Sequence, residues 1–215
     1  MVPSEETYAG FTSAACREAN VAEQTALRLS AGESSGSDLA PGDYDVPGYV
    51  TGLTRHFIDL RDNTHGGSQD RHEKEEHFIH AVELLDPVAN QVLGEMNTHL
   101  LLESGGISGT GPRRNRDGSL NATWGLTWPE QRAAEVSPVV LIACFGSGNH
   151  HPHLRGGTVR NWPLNIFTRC DAADQLPILR AIAAADLHNL VFLADYRIVP
   201  AVARPRTHPE TADRP

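Results

Sequence analysis

EHFIHAVELLDPVANQVLGEMNTHLLLE, residues 76–103, is the stretch on which the fold turns. Two apolar-rich runs, 76–86 and 91–103, flank Pro87-Val88-Ala89-Asn90, a Pro- and Asn-containing connection short enough to reverse the chain between adjacent strands. That reading predicts an antiparallel β-hairpin. Pairing Asp86 with Gln91 sets His80 opposite Asn97, Val82 opposite Glu95 and Phe78 opposite His99. His80, Glu95, Asn97 and His99 then share one face, while Ile79, Ala81, Leu85, Val92, Met96 and Leu100 form a drier opposite face. An even slip in register leaves that division intact.

Working outward, residues 49–61 (YVTGLTRHFIDLR) read as a preceding strand and 62–75 as a turn-rich loop. The glycine-rich 105–118 reads as a loop, 119–128 as a strand ended by Pro129, and 129–136 as a short helical piece. Residues 138–146 (PVVLIACFG) are almost wholly apolar and predict a central strand covered on both faces. A further strand starts at 162, the clearest helix covers 171–186, and 187–199 closes the domain as a strand. The expected fold class is therefore α+β and β-rich: a curved, mostly antiparallel sheet or barrel of about seven strands with one or two packed helices. No GxGxxG or GxxxxGK[ST] is present, and there is no regular β-α alternation, which excludes a doubly wound nucleotide fold.

Composition supports one globular domain with loose ends. Residues 1–48 hold eight acidic and two basic side chains, so −6 of the formal charge of −9 lies there. They read as an acidic N-terminal segment with a helix at 13–29 and a linker, followed by a globular β-rich domain at 49–200 and a flexible tail at 201–215. A nucleic-acid partner needs a concentrated basic face, and only Arg113, Arg114 and Arg116 cluster. Three cysteines, Cys16, Cys144 and Cys170, lack metal-site spacing and predict no disulfide framework, hence a reducing, cytoplasmic setting. No apolar run reaches membrane-spanning length, so no membrane association is expected. Lys74 is the lone lysine against many arginines, a bias typical of GC-rich bacterial coding.

The chemistry-bearing residues fall in two places. On the hairpin, His80, Glu95 and His99 form a catalytic set: two imidazoles and a carboxylate can act as acid and base, or hold Fe, Mn or Zn with open positions. No cofactor is required by any motif. His56 and Asn97 would help to bind substrate. The second place is the loop GSGNHHPHLRGG, where His151, His153 and Arg155 are further substrate-binding candidates beside His150. Its His151-Pro152-His153-Leu154-Arg155 departs from the three alternating histidines of the histidine triad and galactose-1-phosphate uridylyltransferase families, and no nucleophile is carried over from them. Asp59 and Asp62 beside Arg61 read as a surface ion-pair set, and Cys144 as a buried hydrophobe. These residues favour an enzyme acting on a small organic molecule, by isomerase, cyclase, lyase or oxygenase chemistry. The alternatives are a non-catalytic small-molecule binding protein using the same pocket, and an oligomeric structural protein, with a homodimer as the simplest assembly.

Overall fold

The structure, a computed structural model, describes residues 46–149 and 151–203. The helix expected at 13–29, the linker, His150 and the tail beyond 203 lie outside the described residues.

The expected hairpin is a single helix. Following α1 (Gly48–Asp62), α2 runs unbroken over Arg71–Leu100, a length of about 45 Å at 1.5 Å per residue. Its buried apolar residues are Phe78, Ala81, Val82, Leu85, Ala89, Val92, Leu93 and Met96, spaced by threes and fours as one helical stripe demands. Asp70 caps it, accepting from the amides of His72 (2.8 Å) and Glu73 (3.2 Å). Pro87, read as part of a turn, sits inside the helix. It removes one amide donor without stopping the helix, because the stripe on either side is anchored in the core. The strands expected at 49–61 and 187–199 are also overturned. The first is α1, and the second is the end of α5 (Leu176–Leu193) and a 3-10 turn (Tyr196–Ile198), with α6 (Pro200–Ala203) following it.

The sheet lies in the middle of the chain. β1 (Gly106–Gly109) and β2 (Arg113–Arg114), in the segment expected to be a loop, both pair with β3 (Leu120–Thr127). After α3 (Pro129–Ala133) come β4 (Val139–Phe145), β5 (His153–Gly156) and β6 (Trp162–Pro163), every pairing antiparallel. The order β1-β3-β4-β5-β6, with β2 beside β1 on β3, describes an open six-stranded sheet. A closed seven-strand barrel with one or two helices is thus ruled out, because most of the chain expected to supply strands is helical.

β4 is central, but it is covered on one face only. Val139, Leu141, Ala143 and Phe145 are fully buried and alternate with half-buried Val140, Ile142 and Cys144. The register pairs Leu120 with Phe145, Ala122 with Ala143 and Trp124 with Leu141, so these side chains share the face that packs on α2 and α5. Trp124 Nε1 donates to Asp86 of α2 (2.7 Å), tying sheet to helix. The helix expected at 171–186 is two: α4 (Arg169–Asp174), opened by a Thr168/Asp171 capping box, and α5. By length and composition the run 169–193 is apolar enough to cross a membrane, but Leu179, Ile182, Ala183, Leu187 and Leu190 of α5 are buried in the core. Cys144 is a free thiol.

Candidate metal centre

α1 inverts the usual amphipathic pattern. His56 and Asp59, one helical turn apart, are buried, while Phe57, Ile58 and Leu60 are 60%, 45% and 51% exposed. Exposing three large apolar side chains in order to bury an imidazole and a carboxylate opposes the hydrophobic effect. The inward face of α1 is therefore not chosen for packing.

The turn after α1 is pinned to that face. Asn63 takes a left-handed conformation (φ 54°) and ends the helix. Asp59 accepts from the Thr64 hydroxyl through Oδ1 (2.7 Å) and from the Gly66 amide through Oδ2 (3.3 Å). His65 and Ser68 exchange backbone hydrogen bonds, and the Lys74 ammonium donates to the Asn63 carbonyl (3.0 Å). Gly66 has φ +60°, and a Cβ there would lie 2.4 Å from the Phe167 ring, so no other residue fits. Phe167 in turn packs on His65, with ring centroids 5.1 Å apart. These contacts hold His65 fully buried, with its Nδ1 3.9 Å from Asp59 Oδ2.

The third element is the segment joining β4 to β5. Arg71, first residue of α2, donates through Nη1 to the carbonyls of Gly146 and Asn149 (3.0 Å each) and lies 3.6 Å over the Phe145 ring. Glu75 holds Arg71 Nε at 2.9 Å and is itself gripped by Arg114. Beyond this clamp the chain turns inward at His151, which is buried, and the Leu164 amide donates to the Pro152 carbonyl.

Asp59, His65 and His151 converge: one donor atom from each lies within 4.8 Å of the other two, and all three residues are buried. Metal bonds of about 2.0–2.2 Å set neighbouring donors roughly 3 to 3.5 Å apart, so side-chain rotations of about an ångström would close this set on one ion. Two imidazoles and one carboxylate are compatible with a divalent metal, or with acid and base chemistry. Burial pushes the His65 imidazole down to about 3, with His151, His77 and Lys74 acting in the same direction and Asp59 opposing. Near neutrality its contact with Asp59 is consequently not an ion pair. The ring is in the unprotonated form that ligates metal. Both ring nitrogens of His65 are buried without a protein hydrogen-bond partner.

Further imidazoles extend the cluster. His56 lies 5.2 Å from His151 and 6.2 Å from His153, centroid to centroid, and burial lowers the pKa of both His56 and His153. On the other side His77 of α2 donates from Nδ1 to the His65 carbonyl (3.3 Å), which fixes its tautomer. Three residues named from sequence as substrate-binding, His56, His151 and His153, are thus brought together here. Arg155 lies on the exposed face of β5, two residues from His153 and beside Cys144.

The set His80, Glu95 and His99 is not brought together, because it rested on the hairpin. Fifteen helical residues separate His80 from Glu95 by about 22 Å. His80 is exposed, with Glu83 3.8 Å away. Glu95 accepts from Arg180 at 2.6 and 2.7 Å, an interaction that lowers its pKa. Asn97 accepts from the Gly105 amide (2.8 Å) and donates to its carbonyl, and so pins the exit from α2. His99 and Glu95 line a cavity of about 490 Å³ between α2 and α5, with Val92, Met96, Arg180 and Val191.

Asp59 and His65 were missed by sequence reasoning. The signal was His56-x-x-Asp59: meaningless on a strand, it becomes one face of one turn once 48–62 is helical. Comparison of the chain with protein-family models, curated proteins and solved structures found no match.

Proposed function

We propose that this protein is a divalent-metal-dependent enzyme acting on a small oxygen-bearing organic molecule, with Asp59, His65 and His151 as the protein ligands. The observation that supports this reading is the convergence of three buried donors, one of them on α1 beside exposed Phe57, Ile58 and Leu60. Zinc, iron and manganese all accept two imidazoles and a carboxylate and keep positions open for water or substrate. Such an ion, when bound, polarises a substrate oxygen or activates water. The chain's own part is to deliver one carboxylate and two imidazoles, to exclude bulk water from them, and to hold the ligand-bearing loops through Gly66, Phe167 and Arg71.

The test is metal content in the full chain purified without a histidine tag. Stoichiometric metal is expected, with thermal stability raised by added metal, since ligand at 100 times Kd adds about 2.7 kcal/mol. Asp59→Ala and His65→Ala should abolish both effects. A wild-type chain that takes up no metal and shows no thermal shift would overturn the reading. A second reading, small-molecule binding without catalysis, is favoured by the cavity between α2 and α5, whose apolar walls carry a Glu95–Arg180 pair at the rim.

A further inference from the structure

Assigning Asp59, His65 and His151 to one ion leaves two neighbouring ring nitrogens unexplained. His56 is 7% exposed and its Nδ1 has no protein hydrogen-bond partner; the same holds for the buried Nδ1 of His153. His56 stands edge-on to both His151 and His153, at interplanar angles of 80° and 78°. A buried donor or acceptor without a partner costs about 1–3 kcal/mol, and two side by side are a concentrated penalty. Around them the fold supplies rigid placement. His56 is in the middle of α1, and His153 is locked into β5 opposite Cys144 of β4 and Pro163 of β6.

We propose that His56 and His153 form a second cation seat that takes a divalent transition-metal ion, adjacent to the Asp59/His65/His151 centre. The proposal rests on the metal-centre reading given above. Its chemistry follows from the donor set: imidazole suits zinc, copper, iron and nickel rather than magnesium or calcium. Asp59 lies one helical turn from His56 and supplies the nearby negative charge, while its two oxygens already accept from Thr64 and Gly66. One carboxylate against two dications leaves excess positive charge, and the buried Lys74 ammonium adds to it. The second ion therefore binds more weakly than the first.

The experiment is a titration of the tag-free, chelator-treated full chain with cobalt(II), followed by d–d absorption and by the number of ions retained per chain. Two ions per wild-type chain are expected, the second held at least about tenfold more weakly because of the neighbouring charge. His56→Ala and His153→Ala should each reduce the count to one and leave the tighter ion in place. Three results overturn the second seat while leaving the first intact: a single ion in the wild type, a second ion that persists in both variants and so belongs to exposed histidines such as His72 or His80, or a tighter ion lost in both. No ion at all in the wild type overturns the metal-centre reading itself. Circular dichroism accompanies each variant; where an alanine variant fails to fold, His56→Gln and His153→Gln take its place, and the wild-type count decides independently of either.

Discussion

Arg71→Ala tests whether the clamp at the start of α2 builds the site or merely decorates the surface. The guanidinium makes two charge-assisted hydrogen bonds to the carbonyls of Gly146 and Asn149, covers the Phe145 ring and meets Glu75. In isolation, hydrogen bonds to a charged group contribute about 1.5–3 kcal/mol each and a cation over an aromatic ring about 0.5–2 kcal/mol. Arg71 is 35% exposed, so water replaces part of this and the ion pair with Glu75 is screened. A loss of about 2–3 kcal/mol in unfolding free energy is expected, read from the midpoint shift in urea. The more telling number is metal affinity. Gly146 and Asn149 lead directly into His151, and outer groups that orient ligands typically alter affinity by about 10- to 100-fold. Competition against a chromophoric chelator should show a loss in that range, with Arg71→Lys recovering part of it. Unchanged affinity in a folded Arg71→Ala protein would refute the idea that the clamp positions the histidine loop.

Asp186, buried to 1% exposure, accepts from the Gly157 amide, the Thr158 amide and the Thr158 hydroxyl at 2.6 to 2.7 Å, so Asp186→Ala should cost about 3 kcal/mol in urea denaturation; a cost under about 1 kcal/mol would contradict those bonds. Glu75 is held down to about 2, first by its hydrogen bond to Arg114 and then by Arg71. Because its folded pKa lies below the unfolded value, its contribution is complete above about pH 4.5 and disappears as pH falls towards 2. The stability difference between wild type and Glu75→Gln should shrink over that window; a constant difference would contradict the assignment. Pro87→Ala restores an amide donor inside α2 and should raise stability by about 1–3 kcal/mol, whereas a turn at 87–90 would be weakened by it.

Legibility in the sequence followed the clarity of the periodicity. β3 and the core of β4 were readable because 119–128 and 138–146 are bounded by turn residues and contain no helical stripe of their own. α2 carried the needed signal in Phe78, Ala81, Val82, Leu85, Ala89, Val92, Leu93 and Met96, whose spacing is helical throughout. Two features hide it: Pro87 and Asn90 are turn formers in the middle of the run, and each half alone is a short apolar run, ambiguous between the two periods. The error at α1 has a different cause. His56 and Asp59 face the core and Phe57, Ile58 and Leu60 face outward, so a search for an apolar stripe finds none on the buried side. His56, His151 and His153 are nonetheless legible as functional candidates, from residue type and, for His151 and His153, from their glycine-flanked loop after a buried strand. His65 is not, because nothing local separates a histidine in a turn from one that Phe167 and Gly66 hold fully buried.

That inversion also bears on why the cluster exists. His56, Asp59, His65, Lys74 and His151 are all buried within one corner of the fold, and each removes hydration that an apolar residue would not lose. Asp59 and Lys74 recover part of the cost through Thr64, Gly66 and Asn63; the two nitrogens of His65 recover none from the protein. Leucine at position 65 would contribute about 1.5–3 kcal/mol by burial and leave no nitrogen unpaired. If metal is what satisfies the ring, His65→Leu should stabilise the metal-free chain and abolish the thermal shift that metal produces. A His65→Leu protein less stable than metal-free wild type would mean that the ring is held for packing against Phe167, and the metal-centre reading would lose its strongest support.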